Sequence, residues 1–218
     1  MTYPPAPWML KGYAFQTLQL VDIEQASKFI PSELEVISLL PGKTLGSIYI
    51  SAYESGSILK YNELIVVAGF VRHQGKFGGW ISHIYVDNPD SVAGGREIWG
   101  LPKEMADFTW NNGSVRVSQN NRELCSLRYQ KGLFNLSTWW QQELSAGSFG
   151  GLGTELLFFE NQFKSQISLM QGKLEIPQES PFASLLDKPW LTLNLQQLEL
   201  VAGVPKVVGN KAPELSYS

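Results

Sequence analysis

Most of the chain reads as short β-branched or aromatic runs broken by Gly, Pro, Asn and Ser, the pattern of strands and turns. The runs predict strands over Phe15–Val21, Leu34–Leu40, Thr44–Glu54, Lys60–Arg72, Trp80–Val86, Ala106–Asn111, Ser114–Gln119 and Glu123–Gln130. Further strands are expected over Asn135–Trp140, Leu156–Lys164, Ser168–Ile176 and Thr192–Val207. Pro41-Gly42, Ser55-Gly56 and Asn112-Gly113 punctuate them, and Asn112-Gly113 reads as a type I′ hairpin because both residues tolerate positive φ. The glycine-rich stretch from Gly147 to Gly153 reads as a mobile loop.

Helical patterning is scarce. Asp22 with Gln25 three residues later makes a capping-box start for Ile23–Ile30, which Pro31 ends. A second helix is expected from Asn88, with Pro89 at its first position, to about Trp99. Its two internal glycines each cost about 1 kcal/mol relative to alanine, so Gly94-Gly95 implies that another backbone packs tightly there. Pro181–Lys188 is a short third candidate.

Composition narrows the class. Of 218 residues, 44% are apolar and only 17% charged, which excludes disorder and fits one well-covered domain over residues 1–218. A net charge of −3 without a basic cluster leaves no footprint for nucleic acid or an anionic membrane. The first residues lack the basic and apolar regions of a signal peptide, and no run of 18 apolar residues occurs. The lone Cys125 cannot form an internal disulfide and suits a reducing cytoplasm as a small buried hydrophobe. His73 and His83 stand apart from any acidic or cysteine cluster, so no metal and no cofactor is expected. Phosphate-binding loops and the nucleophile elbow of serine hydrolases are missing from the sequence.

Candidate chemistry concentrates in Gly95–Met105, where charges interrupt an apolar stretch. Lys103 follows Pro102 and has Ile98, Trp99, Leu101, Met105 and Phe108 as sequence neighbours. An ordinary lysine is neutral in only roughly one molecule in 2,500 at pH 7, and only the neutral amine attacks a carbonyl. An apolar pocket disfavours the ammonium, which is what an imine-forming lysine requires. A lysine snorkelling from a strand start into water is the competing reading.

Pro102-Lys103, preceded by Gly95-Arg96-Glu97 and by the segment from His83 to Pro89, resembles the signature of the acetoacetate decarboxylase family. Tyr61-Asn62-Glu63 is similar to the family's Tyr-x-Glu, and Ile30-Pro31 before Leu34-Glu35-Val36 extends the likeness upstream. Downstream it continues weakly, through strands near Lys164 and Glu175; its specific motifs lie between Gly56 and Met105. The resemblance implies a mainly β (α+β) fold: an antiparallel, closed or nearly closed barrel around an apolar pocket, with two or three short peripheral helices. It implies decarboxylation of a small β-keto acid through a Schiff base on Lys103, with Glu63 positioning or protonating the reacting carbon. Schiff-base aldol or dehydratase chemistry on a keto acid is a variant, and a non-catalytic binder of a small apolar ligand the alternative.

The implied substrate pocket comprises Tyr61, Arg96, Glu97, Trp99, Leu101 and Met105. Arg96 could grip a substrate carboxylate, or Arg96 and Glu97 could anchor the segment presenting Lys103; too firm a grip would oppose departure of neutral carbon dioxide. The chain departs from the family at Glu104, where a second lysine would stand. In an extended segment Glu104 would point away from Lys103. The chain departs again at the family's carboxylate-binding arginine near the N-terminus, which has no counterpart here, with Lys11 nearby. A homo-oligomer is implied, with seven tryptophans to cover.

Overall fold

A computed structural model describes residues 3–131, 141–186 and 188–212. In chain order its elements are β1 (Trp8–Asp22), α1 (Ile23–Ala26), β2 (Glu35–Val36), β3 (Lys43–Tyr53), β4 (Tyr61–His73), β5 (Lys76–Val86), α2 (Pro89–Trp99) and β6 (Lys103–Met105). There follow β7 (Asp107–Asn111), β8 (Ser114–Gln119), β9 (Arg122–Lys131), β10 (Gln142–Leu152), β11 (Glu155–Glu175), β12 (Leu191–Ala202) and β13 (Lys206–Asn210).

Seven strands close into a barrel in the order β10-β5-β4-β3-β1-β12-β11, with β11 returning to β10. Closure satisfies the backbone groups that an open sheet would leave bare at its edges. The expectation of a purely antiparallel barrel needs one correction: β10 meets β5 in parallel, through Ser148↔Gly79 and Phe149↔Trp80. The short β6 also runs parallel to the end of β5. Strand β11 continues beyond the barrel, where Met170–Glu175 pairs with β9 and carries the branch β9-β8-β7.

Alternation along β1 divides the core. Trp8, Leu10, Gln16 and Leu18 line the interior, whereas Phe15 and Val21 join a second apolar cluster outside it. That outer cluster includes Ala26, Ile30, Phe182 and Leu185, so α1 and the turns after β11 cover one face of the barrel. The fully buried Cys125 belongs to the same cluster.

Several sequence expectations change. The glycine-rich stretch is the end of β10, with Gly153 in the turn after it, and Gly147 and Gly150 stand where neighbouring backbone comes close. A Cβ on Gly147 would collide with the carbonyl of Phe77, and one on Gly150 with that of Trp99. The two strands expected around Leu156–Lys164 and Ser168–Ile176 are one strand, β11. Leu34–Leu40 is extended only at Glu35–Val36, and Thr192–Val207 divides into β12 and β13. Asn135–Trp140 lies outside the described residues.

The first helix is a single turn: the Asp22 side chain makes no cap hydrogen bond and instead pairs with Lys43 at 2.8 Å. Pro181–Lys188 forms isolated turns in its described part, not a helix. At the β7–β8 hairpin only Gly113 has positive φ (81°), so the turn is not type I′.

Candidate active site

The site grows from α2 and the short strand after it. Asn88 caps the helix, its side-chain oxygen accepting from the backbone N–H of Asp90 (2.9 Å) and Ser91 (3.1 Å), with Pro89 pre-set for the first turn. Gly100, at φ 61°, ends it and redirects the chain towards β6. Register of β6 against β5 places Lys103 beside Ile84 and Glu104 beside Tyr85, so successive side chains leave opposite faces.

Lys103 enters the barrel and is only 3% exposed. Its ammonium donates to Glu63 Oε1 at 2.7 Å and to Ser91 Oγ at 3.0 Å, and lies 5.1 Å from the centre of the Tyr61 ring and 5.7 Å from that of Trp8. Glu63, also 3% exposed, accepts at its other oxygen from the Tyr53 hydroxyl at 3.1 Å; the Tyr49 hydroxyl lies 3.3 Å from that of Tyr53. Burial, with the Glu63 charge adding to it, raises the hydroxyls of Tyr49, Tyr53 and Tyr61 above the usual tyrosine range, keeping them protonated. A buried carboxylate is thus met by a cation and a phenol, which offsets much of its desolvation.

The lysine reaches this position because α2 has no side chain in its way. Gly95 faces the Lys103 stem and Gly94 faces the Trp8 ring. The neighbours that require glycine here are therefore side chains, not the second backbone expected from the sequence.

A cavity of about 530 Å³ opens from the pair into the barrel. Tyr61, Glu63, Trp99, Leu101 and Lys103 line it. Arg96, Glu97 and Met105 do not: Arg96 Nε donates to the Lys103 backbone carbonyl at 2.7 Å, Glu97 accepts from Tyr3 OH, and Met105 is 46% exposed where the strand ends. Arg96 thus ties α2 to the backbone of Lys103, whereas Glu97 ties α2 to Tyr3. Glu104 is exposed and accepts from Gln119 Nε2 at 2.8 Å. Lys11 points outward to Glu199 at 2.9 Å.

Trp8, Tyr49, Tyr53 and Ser91 were not anticipated at the site. For Ser91 a signal existed: it stands four residues before Gly95, on the helix face that the paired glycines leave bare. The other three come from strands remote in sequence, and only the barrel register brings them together.

Among the described residues no group of three or more His, Cys, Asp or Glu is placed to hold a metal ion. No helix among them is long and apolar enough to cross a membrane.

The family model described as acetoacetate decarboxylase (ADC) matches residues 1–141. The chain is 33% identical over 107 residues to protein NEOXANTHIN-DEFICIENT 1 of Solanum lycopersicum, a match covering 49% of this chain and 36% of that protein. It is 32% identical over 106 residues to acetoacetate decarboxylase 1 of Bradyrhizobium diazoefficiens, covering 48% and 40%. It thus spans less than half the length of these curated relatives. Among solved structures, acetoacetate decarboxylase from Legionella pneumophila aligns with a TM-score of 0.73 at 18% identity, covering 96% of this chain and 90% of that one. The enduracididine biosynthesis enzyme MppR complexed with pyruvate aligns at 0.71 with 16% identity, covering 94% and 91%. At these identities the structural likeness concerns the fold.

Proposed function

The chain belongs to the acetoacetate decarboxylase family, and on that premise we propose that it is an enzyme that captures a small carbonyl compound as a Schiff base on Lys103. One observation carries the reading: the Lys103 amine is withdrawn from water at the end of an apolar cavity, 2.7 Å from a buried carboxylate.

Low dielectric disfavours separated charges, so passing the ammonium proton to Glu63 leaves a neutral amine beside a neutral acid. The amine adds to the carbonyl carbon, and Glu63 returns the proton to the departing hydroxyl, giving water and a protonated imine. The imine draws electrons from the neighbouring carbon. If that carbon bears a carboxylate, the C–C bond breaks, carbon dioxide leaves and the enamine takes up one proton. Decarboxylation of a β-keto acid is the finer form of the proposal. Ser91 and Tyr53 hold the two reacting groups in register. Assembly as a homo-oligomer, residence in the cytoplasm and one functional domain over residues 1–218 complete the reading; light scattering tests the first of these.

Borohydride reduction with a panel of ketones and keto acids, followed by intact mass, tests the proposal. A stable adduct on wild-type protein and none on Lys103→Arg is expected, because arginine stays protonated. A second reading, a binding protein without chemistry on the same fold, is favoured by the closed hydrogen-bonded pair of Lys103 and Glu63. Tight ligand binding with no adduct would select it.

A further inference from the structure

The charge inside the barrel is balanced before any ligand arrives. Among the described residues lining the cavity, Lys103 and Glu63 are the only charged side chains, and they neutralise each other. The branch β7–β9 contributes nothing to the lining, and residues 1–2, 132–140, 187 and 213–218 contain neither lysine nor arginine. Cations close by do not line the cavity: Lys11 pairs with Glu199 on the outside, Arg96 holds the backbone of Lys103, Lys164 pairs with Glu143, and Lys76 lies over the Phe158 ring.

We infer that the ligand of this cavity is an uncharged ketone or aldehyde with an elongated apolar body. The inference rests on the reading of Lys103 as the imine-forming group and, by naming an uncharged carbonyl compound as its partner, stands in place of β-keto acid decarboxylation as the finer form of that reading.

Two observations carry it. The first is the proton and charge count. Starting from ammonium, carboxylate and a neutral ketone, loss of water gives a cationic imine, a carboxylate and no net charge. Starting from a keto acid, the same step leaves one negative charge without a partner in an apolar enclosure, and an isolated buried carboxylate is expensive. The second is shape. Along β4 the lining runs from Glu63 to Phe70, roughly 23 Å of strand at the usual rise per residue. Leu18, Leu45, Ile65, Val67, Ile81 and Phe163 face this space. Its polar groups away from Lys103 and Glu63, such as Gln16, Ser47 and Asn161, are uncharged.

With a neutral ketone the chemistry stops short of carbon–carbon cleavage. Glu63, as carboxylate, removes a proton from the carbon next to the imine, the electron pair moves onto Lys103 nitrogen, and a neutral enamine forms beside a neutral acid. Return of a proton regenerates the imine, and water releases the ketone. The signature is exchange of the protons adjacent to the carbonyl with solvent.

Two matched pairs test this: 2-undecanone against 3-oxododecanoate, and acetone against acetoacetate, each incubated with wild-type protein and borohydride. The adduct yield with 2-undecanone should exceed that with 3-oxododecanoate by more than about tenfold, and acetone should be trapped far more weakly. In heavy water the protons flanking the 2-undecanone carbonyl should exchange, and Glu63→Gln should slow that exchange. Preferential trapping of either keto acid, or carbon dioxide release from it, would overturn the inference and leave imine chemistry on Lys103 standing. Equal trapping of acetone and 2-undecanone would overturn the elongated body. No adduct with any of the four would overturn both this inference and the reading beneath it.

Discussion

The side-chain stem of Lys103 occupies the space that a Cβ on Gly95 would need: a methyl there would lie less than 3.0 Å from the lysine Cγ, Cδ and Cε. Alanine at position 95 gains about 1 kcal/mol of helix propensity and meets about 1–3 kcal/mol of overpacking. Gly95→Ala should therefore change the melting temperature little while displacing the amine and reducing borohydride trapping by at least about tenfold. Calorimetry beside adduct mass separates the two effects. Unchanged trapping would mean that the stem has another route to the cavity.

Lys103→Met leaves the Glu63 carboxylate buried with the Tyr53 hydroxyl as its remaining partner. Loss of one partner from a buried pair costs about 3–5 kcal/mol, whereas replacing both by apolar groups is often close to neutral. Urea denaturation should show that loss in the single variant and recovery of most of it in Lys103→Met with Glu63→Leu. A single variant as stable as the wild type would contradict the burial of the pair.

His83 lies between the rings of Phe29 and Phe182, each 5.6 Å away, with Nδ1 on Ser82 Oγ at 3.0 Å. Burial lowers its pKa below the ordinary histidine value, while the Glu104 charge pulls the other way. The unfolded chain therefore binds the proton more readily than the folded one below about pH 6.5. Stability from the neutral ring is full above that pH and falls as pH drops through the lower folded value. Melting temperatures between pH 7.5 and 5 should fall, less steeply in His83→Gln and more steeply in Glu104→Gln.

Cys125 is fully buried, and burial pushes its thiol far above the ordinary cysteine range. It should resist iodoacetamide at pH 8 in the folded protein and react once denaturant unfolds the chain, at a rate that tracks global unfolding. Rapid labelling without denaturant would place it in a segment that opens locally.

Much of the site could be read from the chain because it depends on local rules. Alternation in a short strand sends Lys103 inward and Glu104 outward, and Asn88-Pro89 marks the helix that precedes it. Glu63 meets Lys103 through β5: Glu63 pairs with Val86, and Ile84 on the same strand with Lys103. No local pattern could have announced Trp8, Tyr49 or Tyr53, which arrive by barrel register. The glycines of β10 misled because they look like loop residues by propensity, whereas here they let Phe77 and Trp99 backbone approach a strand. Met105 misled because period-two alternation from Lys103 predicts it inward, whereas as the last residue of its strand it is 46% exposed.

The parallel contact of β10 with β5 also divides the barrel into two unequal closures. Four strands from the first part of the chain form one arc, β5-β4-β3-β1, and three from the last part form the other, β12-β11-β10. On one side the arcs are stitched by ten residue pairs between β1 and β12; on the other, by two between β5 and β10. The wall is thus fastened unevenly, by a long seam at β1 and β12 and a short one at Gly79 and Ser148. Beside the two ladder pairs, the short seam holds the hydrogen bond from Gly151 N–H to the Gly100 carbonyl, while β6 with Lys103 is paired to β5 and not to β10. Any opening of the wall would therefore cost fewest ladder pairs at Gly79 and Ser148, which also line the cavity.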